Sequence, residues 1–337
     1  MLKLFQSIFG MAGGEEGRGR YPEALIDMAI ERAVDGTDPR LRALPGYRKR
    51  LRAPVINAAD HVIALVDSLP APLPAASRDY SGDPRLTALF ASAEHLREVF
   101  AGDAVLGEFR DRHPGDEKLT ALLLAERVEK NVLGMELDGE MLKREVAQVA
   151  VNFRGLRLVD PHVDEAETRR QLKRRAFDHL LSLALSRIAE VQGERVGLNR
   201  QRDLLRRKLS ALQHGGWSFE ETGGDRAEPA AMQAELDDIE GQLNALGLDD
   251  RSLSGHLDIV TGLLEEAERQ LWAEDIVLHL DRMNIQRDAH DASARELRFQ
   301  ELHNARGRRL VMLLLVVDPG ELPRREDAVT AAERYLA

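Results

Sequence analysis

Cysteine is absent from this 337-residue sequence, and aromatic residues make up only 4 % of it. The absence of thiols excludes a disulfide framework and any thiolate metal or redox site, and it suits a reducing compartment. Long apolar runs are missing as well, because the longest, 310–317, falls far short of the ~20 residues that cross a bilayer. We therefore expect a cytoplasmic protein without a membrane-spanning helix.

The net charge of −11 speaks against a general nucleic-acid-binding role. Abundant alanine, leucine and arginine indicate a helix-rich protein and are typical of a GC-rich bacterial genome. Basic residues do cluster at Arg48, Lys49, Arg50 and Arg52. This basic patch suits a phosphate or an acidic partner, although a solvated helix face explains the same pattern.

The middle of the chain contains two long apolar repeats. Apolar residues recur every 3.5 residues along both halves of 163–275, which is the signature of a coiled-coil seam. Only Arg195, Arg202 and Asp250 interrupt the repeat. The seam residues of the first arm are Phe177, Leu181, Ala184, Ile188, Val191, Leu198, Leu205, Leu209 and Leu212, and those of the second are Met232, Leu236, Ile239, Leu243, Leu246, Leu253, Leu257, Val260, Leu264, Ala267 and Leu271.

The two arms carry opposite charges, the first being rich in arginine and lysine and the second in aspartate and glutamate. Opposite flanks favour pairing of unlike arms. The sequence therefore predicts an antiparallel coiled-coil hairpin with its tip at 213–231, the alternative being a parallel coil between two chains. Folding at the tip brings Arg195 close to Asp250, and we expect this pair to set the register, since a buried charge needs a partner.

The segments before the hairpin divide into two parts. Residues 1–20 are predicted to be an amphipathic segment and a glycine-rich tether. Docking of 1–11 on a membrane surface is one interpretation, and packing as an ordinary terminal helix is the favoured one. Residues 21–116 have the pattern of a helical domain. Its second helix is predicted from Tyr47 to Leu69, with a bend at Pro54.

Strand patterns flank the hairpin on both sides. Residues 117–162 and 276–322 are therefore predicted to be the two halves of one α/β platform, with a C-terminal helix in 323–337. The fold class is α+β, predominantly helical: an N-terminal helical domain and a small mixed platform that the hairpin splits. The predicted elements of the platform and terminus are strands Leu119–Arg127, Asn131–Leu137, Val149–Val159, Ile276–Gln286, Glu296–His303 and Arg308–Val317, and helices Glu140–Gln148 and Ala328–Leu336.

Motifs that carry chemistry are not found. Neither a paired-histidine metal motif nor a serine nucleophile elbow is present, so we predict no catalytic residue, no metal site and no cofactor. The mixture of acids and histidine at 160–165 fits helix capping as well as metal binding, and His290 has the same ambiguity. Coiled-coil arms beside a globular unit also occur in chromosome-maintenance ATPases, but their phosphate loop is missing here. The sequence indicates no known family.

The tip of the hairpin holds the preferred contact site. Trp217 and Phe219 lie in a glycine-rich stretch far from any predicted core, and projecting aromatics are typical anchors of a protein interface. Packing of both rings over the last seam layer is the alternative. We expect a non-enzymatic scaffold or adaptor of a bacterial multi-protein assembly, with other proteins as partners. The alternatives are an enzyme with its site in the platform and a coil that forms a homo-oligomer, and a protein held at a membrane surface by 1–11.

Overall fold

The computed structural model describes residues 21–113, 115, 117–138, 141–214, 229–245 and 249–322. Within these ranges the chain is a mixed α/β protein, as the sequence predicted. The helices are α1 Glu23–Asp35, α2 Tyr47–Asp67, α3 Pro84–Leu89, α4 Ala93–Gly102, α5 Ala104–Arg112, α6 Glu165–His214, α7 Pro229–Ala245, α8 Asp249–Glu265 and α9 Ala267–Gln270. The strands are β1 Leu73–Pro74, β2 Leu119–Asp138, β3 Met141–His162, β4 Leu271–Leu280, β5 Arg295–Asn304 and β6 Arg309–Val317.

The described residues belong to two compact units, and each unit is discontinuous in sequence. The first contains 21–60 and 177–267, and the second contains 61–176 and 268–322. Helices α2 and α6 both pass from one unit into the other. None of the described helices combines the length and the apolar character that crossing a membrane requires.

The first unit is helical and has an apolar core. Leu25, Ile30 and Val34 of α1 are buried, as are residues of α2, α6 and α8. Polar contacts tie these helices together: the guanidinium of Arg32 donates two hydrogen bonds of 2.8 and 2.7 Å to the carboxylate of Asp178. These contacts join elements more than a hundred residues apart in the chain.

The second unit is built on a six-stranded sheet with the order β3-β2-β6-β5-β4, and β1 pairs in parallel with β6. The pairs β2–β3, β2–β6, β4–β5 and β5–β6 are antiparallel. The sheet thus joins strands from both sides of the helical segment 165–270. Strand β6 pairs with β2 over Leu119–Ala125. The remainder of β2 continues as a two-stranded ribbon with β3.

Apolar cores lie on both faces of the sheet, since successive strand residues point to opposite sides. Ala121, Leu123 and Ala125 of β2 lie in one core with residues of α3, α4 and α5. Leu122 and Leu124 lie in a second, smaller core. The residues of this second core that lie outside the sheet are Val66 in α2, Leu69 just after that helix and Leu172 in α6.

Local sequence signals explain where several of these helices begin. The side chains of Asp83, Ser92 and Asp103 accept hydrogen bonds from the backbone N–H groups of the first turns of α3, α4 and α5. Such caps satisfy donors that the helix itself leaves unpaired. The carboxylate of Asp164 does the same at the start of α6, where it accepts from the N–H of Ala166 at 3.0 Å.

The prediction for the first half of the platform was wrong in one element. The expected helix Glu140–Gln148 is replaced by β3, which begins at Met141, and the expected break at 128–130 does not occur because β2 is continuous. Residues 141–144 are good helix formers, but they pair with 135–138 across the ribbon. Pairing with a neighbouring strand overrides local propensity here.

The start of the second half was also misplaced. The second predicted arm was expected to include Leu271, but Leu271 opens β4 and pairs with Asn304, and β4 ends at Leu280 rather than at Gln286. Strands β5 and β6 agree with the prediction, and Gly307 adopts a positive φ of 75° in the turn between them, a conformation that glycine accepts without strain. The predicted C-terminal helix and the segment 1–20 lie outside the described residues.

Candidate functional site

The distal part of α6 packs against α7 through a small apolar cluster. Leu205, Leu236 and Ile239 are buried in it, and Leu198 and Leu243 pack on it while partly exposed. All five residues belong to the seams expected from the sequence. A cluster of this size contributes far less than a globular core, because stabilisation follows the apolar area removed from water.

Polar contacts flank this cluster on both sides. The side-chain amide of Gln201 donates to Glu235 at 3.1 Å, and Arg206 pairs with Glu240. Gln201 and Glu235 each precede a seam position by one residue. Arg206 and Glu240 each follow a seam position by one residue. The contacts therefore join like flanks of the two helices.

A buried polar cluster lies nearer the base of these helices, within the first unit. His256 of α8 is 3 % exposed, and its Nδ1–H donates to the Asp38 carboxylate at 2.8 Å. The other ring nitrogen, Nε2, lies 3.3 Å from the amide nitrogen of Gln192, which can donate to it. Hydrogen bonds from Arg40 lower the pKa of Asp38 to about 2, helped by His256 and opposed by burial. This arrangement fixes α8 against the segment after α1.

Of the predicted tip and the predicted register pair, the structure describes the side chain of Arg195. Trp217 and Phe219 lie outside the described residues, as does the Asp250 side chain. Arg195 lies in α6, half-buried, and its backbone oxygen accepts a hydrogen bond from the Asn199 side chain at 2.9 Å. The tip contact and the Arg195–Asp250 pair stay predictions.

The basic patch at the start of α2 is largely paired with acids of the same unit. Arg48 forms an ion pair with Glu31 at 2.9 Å. The other two arginines also have acidic partners: Arg50 pairs with Asp258 and Arg52 with Glu23. Lys49 is exposed and has no acidic partner among the residues that the structure describes. Little unbalanced positive charge is therefore left for a phosphate or an acidic protein.

The acids and histidine at 160–165 have separate roles. Asp160 binds the guanidinium of Arg175 with two hydrogen bonds of 2.7 Å, and Asp164 caps α6. His162 packs against Phe109 in α5, and its buried Nδ1 has no hydrogen-bond partner among the residues that the structure describes. No group of three histidine or acidic side chains within the described ranges is arranged to hold a metal ion.

Two features of the second unit had no signal in the sequence. The first is a buried charge cluster: Glu301 of β5 is 2 % exposed and accepts from the Nε of Arg127 in β2 at 3.0 Å, which raises the pKa of Arg127. His303 lies 3.2 Å from the same carboxylate and stacks on Trp272. Residues 174 positions apart meet here only because β6 lies between their strands.

The second feature is a groove of about 800 Å³ at the end of the sheet core. Its walls come from the segment 80–95, from β3 and from the loop between β4 and β5. That loop reaches across to β3, where the backbone of Asn284 accepts from the Val151 N–H at 2.8 Å. The groove has the volume of an ordinary small-molecule site.

Comparison with known proteins gives no guidance on these features, since no family model, curated protein or solved structure matches the chain.

Proposed function

We propose that this protein is a non-enzymatic scaffold or adaptor in a bacterial multi-protein assembly, and that an antiparallel coiled-coil stalk built on α6 contacts other proteins. We place it in the cytoplasm, in line with its lack of cysteine. The observation that carries the proposal is the low burial of distal α6. Among the described side chains from Gln192 to Arg207, Leu205 alone is buried.

A weakly buried helix is costly to keep ordered, because each ordered residue loses conformational entropy and the apolar area gained is small. Helix α6 nevertheless continues to His214 and spans 50 residues. At ~1.5 Å per residue, the part from Gln192 to His214 extends on the order of 30 Å. Packing within the first unit does not explain this length, whereas contact of the distal end with a partner protein does.

The flank contacts support the antiparallel direction. In two parallel helices, the flank before a seam position on one helix faces the flank after a seam position on the other, whereas reversing one helix brings like flanks together. Gln201–Glu235 and Arg206–Glu240 are contacts between like flanks. The contact of Gln192 with His256 also fits antiparallel helices. Gln192 precedes Gln201 and Arg206 in α6, whereas His256 follows Glu235 and Glu240 in the chain.

The tip remains our choice for the partner contact, with Trp217 and Phe219 as anchors and the Arg195–Asp250 pair setting the register. The test compares three full-length proteins as bait in native lysate: wild type, Trp217→Ala/Phe219→Ala, and the control Leu185→Ala/Val196→Ala. The control removes two apolar side chains of α6 that are already exposed, at 45 % and 62 %. All three proteins must first have equal helicity and equal thermal midpoints.

We expect wild type and control to retain the same partners, identified by mass spectrometry, and the tip variant to lose them. Loss of a buried aromatic anchor from an interface typically costs ~2 kcal/mol or more, about 30-fold in affinity. Identical partners on all three proteins would exclude the tip as the contact surface. No specific partner on any of them would contradict the adaptor proposal and favour the enzyme alternative.

A further inference from the structure

The groove in the second unit carries an unbalanced positive charge. None of its fifteen lining residues, all of them described, is acidic, although the whole chain has 58 acidic and 47 basic residues. Two arginines and a histidine are among them: Arg282, Arg295 and His95. A cavity that excludes carboxylates in an acidic protein is suited to an anion.

The charge of Arg295 is held in place but not neutralised. Its two terminal nitrogens donate to neutral oxygens, the hydroxyl of Thr87 and the backbone carbonyl of Asp281, both at 2.8 Å. Its buried Nε–H has no acceptor within the described residues. A guanidinium fixed in this way is preorganised to meet an anionic group, because its ordering cost has already been met.

Two further donors complete the polar side. Arg282 is exposed and has no acidic partner in the described part of the chain. The Nδ1 of His95 accepts from the backbone N–H of Ala91 at 3.1 Å, so the proton of the neutral ring is on Nε2, which is a donor. The groove therefore offers donors from three separate elements.

The remaining lining is apolar and includes Phe90, Phe153 and Met283. Met283 is 83 % exposed, which is unusual for a large apolar side chain and typical of a binding surface. The loop that carries it is rigid, since the Asp281 carboxylate accepts from the N–H groups of Met283 and Ile285 at 2.8 and 3.0 Å. Burial opposes ionisation of Asp281, but these bonds outweigh it and lower its pKa.

We propose that this groove is a preformed binding site for a small organic anion, namely a carboxylate or phosphate group attached to an aromatic or aliphatic body. The anionic group lies at Arg282, Arg295 and His95, and the apolar body lies against Phe153 and Met283. The site stands on the second unit alone and is independent of the stalk.

The test uses the full-length protein with ¹³C-labelled methionine methyl groups, and a Met283→Leu variant assigns the Met283 signal. Phenyl phosphate is titrated as the probe, and benzyl alcohol serves as an uncharged compound with the same ring. Arg282→Glu is the test variant, because its side chain is exposed. Arg309→Glu is the control, since Arg309 is an exposed arginine of the same unit outside the groove lining and changes the net charge equally.

We expect phenyl phosphate to shift the Met283 methyl signal saturably, with a Kd of about 1 mM or lower, as the ligand efficiency of small compounds allows. Benzyl alcohol and the Arg282→Glu variant should each show binding weaker by about tenfold or more, the size of a lost charge-assisted contact. Arg309→Glu should bind as wild type does. Absence of a saturable shift, equal binding of both compounds, or equal weakening by both variants would overturn the proposal.

Discussion

Helix α6 contains two stretches that follow the same 3.5-residue apolar repeat and yet have different surroundings. From Phe177 to Ile188 six residues are buried, whereas from Gln192 to Arg207 only Leu205 is buried among the described side chains. A repeat therefore indicates that a helix has an apolar seam and does not tell what covers that seam. The first stretch lies in an apolar core, whereas the second, among the described residues, packs on α7 through a small cluster and contacts α8 at Gln192.

Truncation should destabilise the protein most at Phe177, which is fully buried. Phe177→Ala should lower the free energy of unfolding by about 3–5 kcal/mol, since it removes a large side chain and leaves a cavity in a packed core. Urea denaturation followed by circular dichroism measures this loss. A loss below about 1 kcal/mol would mean that the first stretch is no better packed than the second.

Acid should weaken the base of α8 through Asp38. Its pKa is about 2 in the folded protein against an ordinary 3.8, so its contribution is complete above pH 3.8 and disappears as the pH falls through 2. The shift corresponds to about 2 kcal/mol. Denaturation at pH 6 and pH 2.5 should show a smaller acid-dependent loss for Asp38→Asn than for wild type. An equal loss in both proteins would assign the effect to other carboxyl groups.

Leu205→Ala should have a smaller and more local effect, about 1–2 kcal/mol, below the range for a fully enclosed leucine because its cluster is small. Hydrogen exchange should accelerate at amides of 192–214 while those of 177–188 stay protected, since weakly packed regions open separately. Faster exchange along both stretches would show that they unfold as one unit.

The smallest expected effect is at Arg206 and Glu240, an exposed ion pair. Exposed pairs gain little, because water and salt screen them and two long side chains must be ordered. A double-mutant cycle with alanine at both positions should give a coupling energy below about 0.5 kcal/mol. A coupling energy above about 1 kcal/mol would indicate that the pair is more shielded from solvent than an exposed position on distal α6 allows.

Elements with a strong local pattern could be predicted from the sequence, and elements decided by distant partners could not. Alternation and a glycine turn identified β5 and β6, and the helical spacing of apolar residues after Pro54 identified α2. Propensity failed at 141–144, where pairing with β2 decides the conformation. Leu271 fitted the spacing of the second arm, but it opens β4, because one apolar residue at the end of a repeat does not distinguish a helix from a strand.

The candidate sites were beyond sequence reasoning for a similar reason. Asp38 and His256 are 218 residues apart, and Arg295 meets Thr87 from 208 residues away. Neither pair leaves a periodicity or a motif in the sequence, because only the folded chain brings the partners together. The flanking strands, in contrast, were found from alternation on each side of the helical segment.

The most direct test of the central claim, that distal α6 belongs to an antiparallel two-helix stalk, uses the absence of cysteine from the chain. Two double variants, Leu198→Cys/Leu243→Cys and Leu198→Cys/Met232→Cys, are treated with a short thiol-specific cross-linker and read by intact mass after purification as monomers. An antiparallel stalk should give efficient cross-linking within one chain for the first pair and little for the second. Preferential cross-linking of the second pair, or products of two chains only, would contradict it.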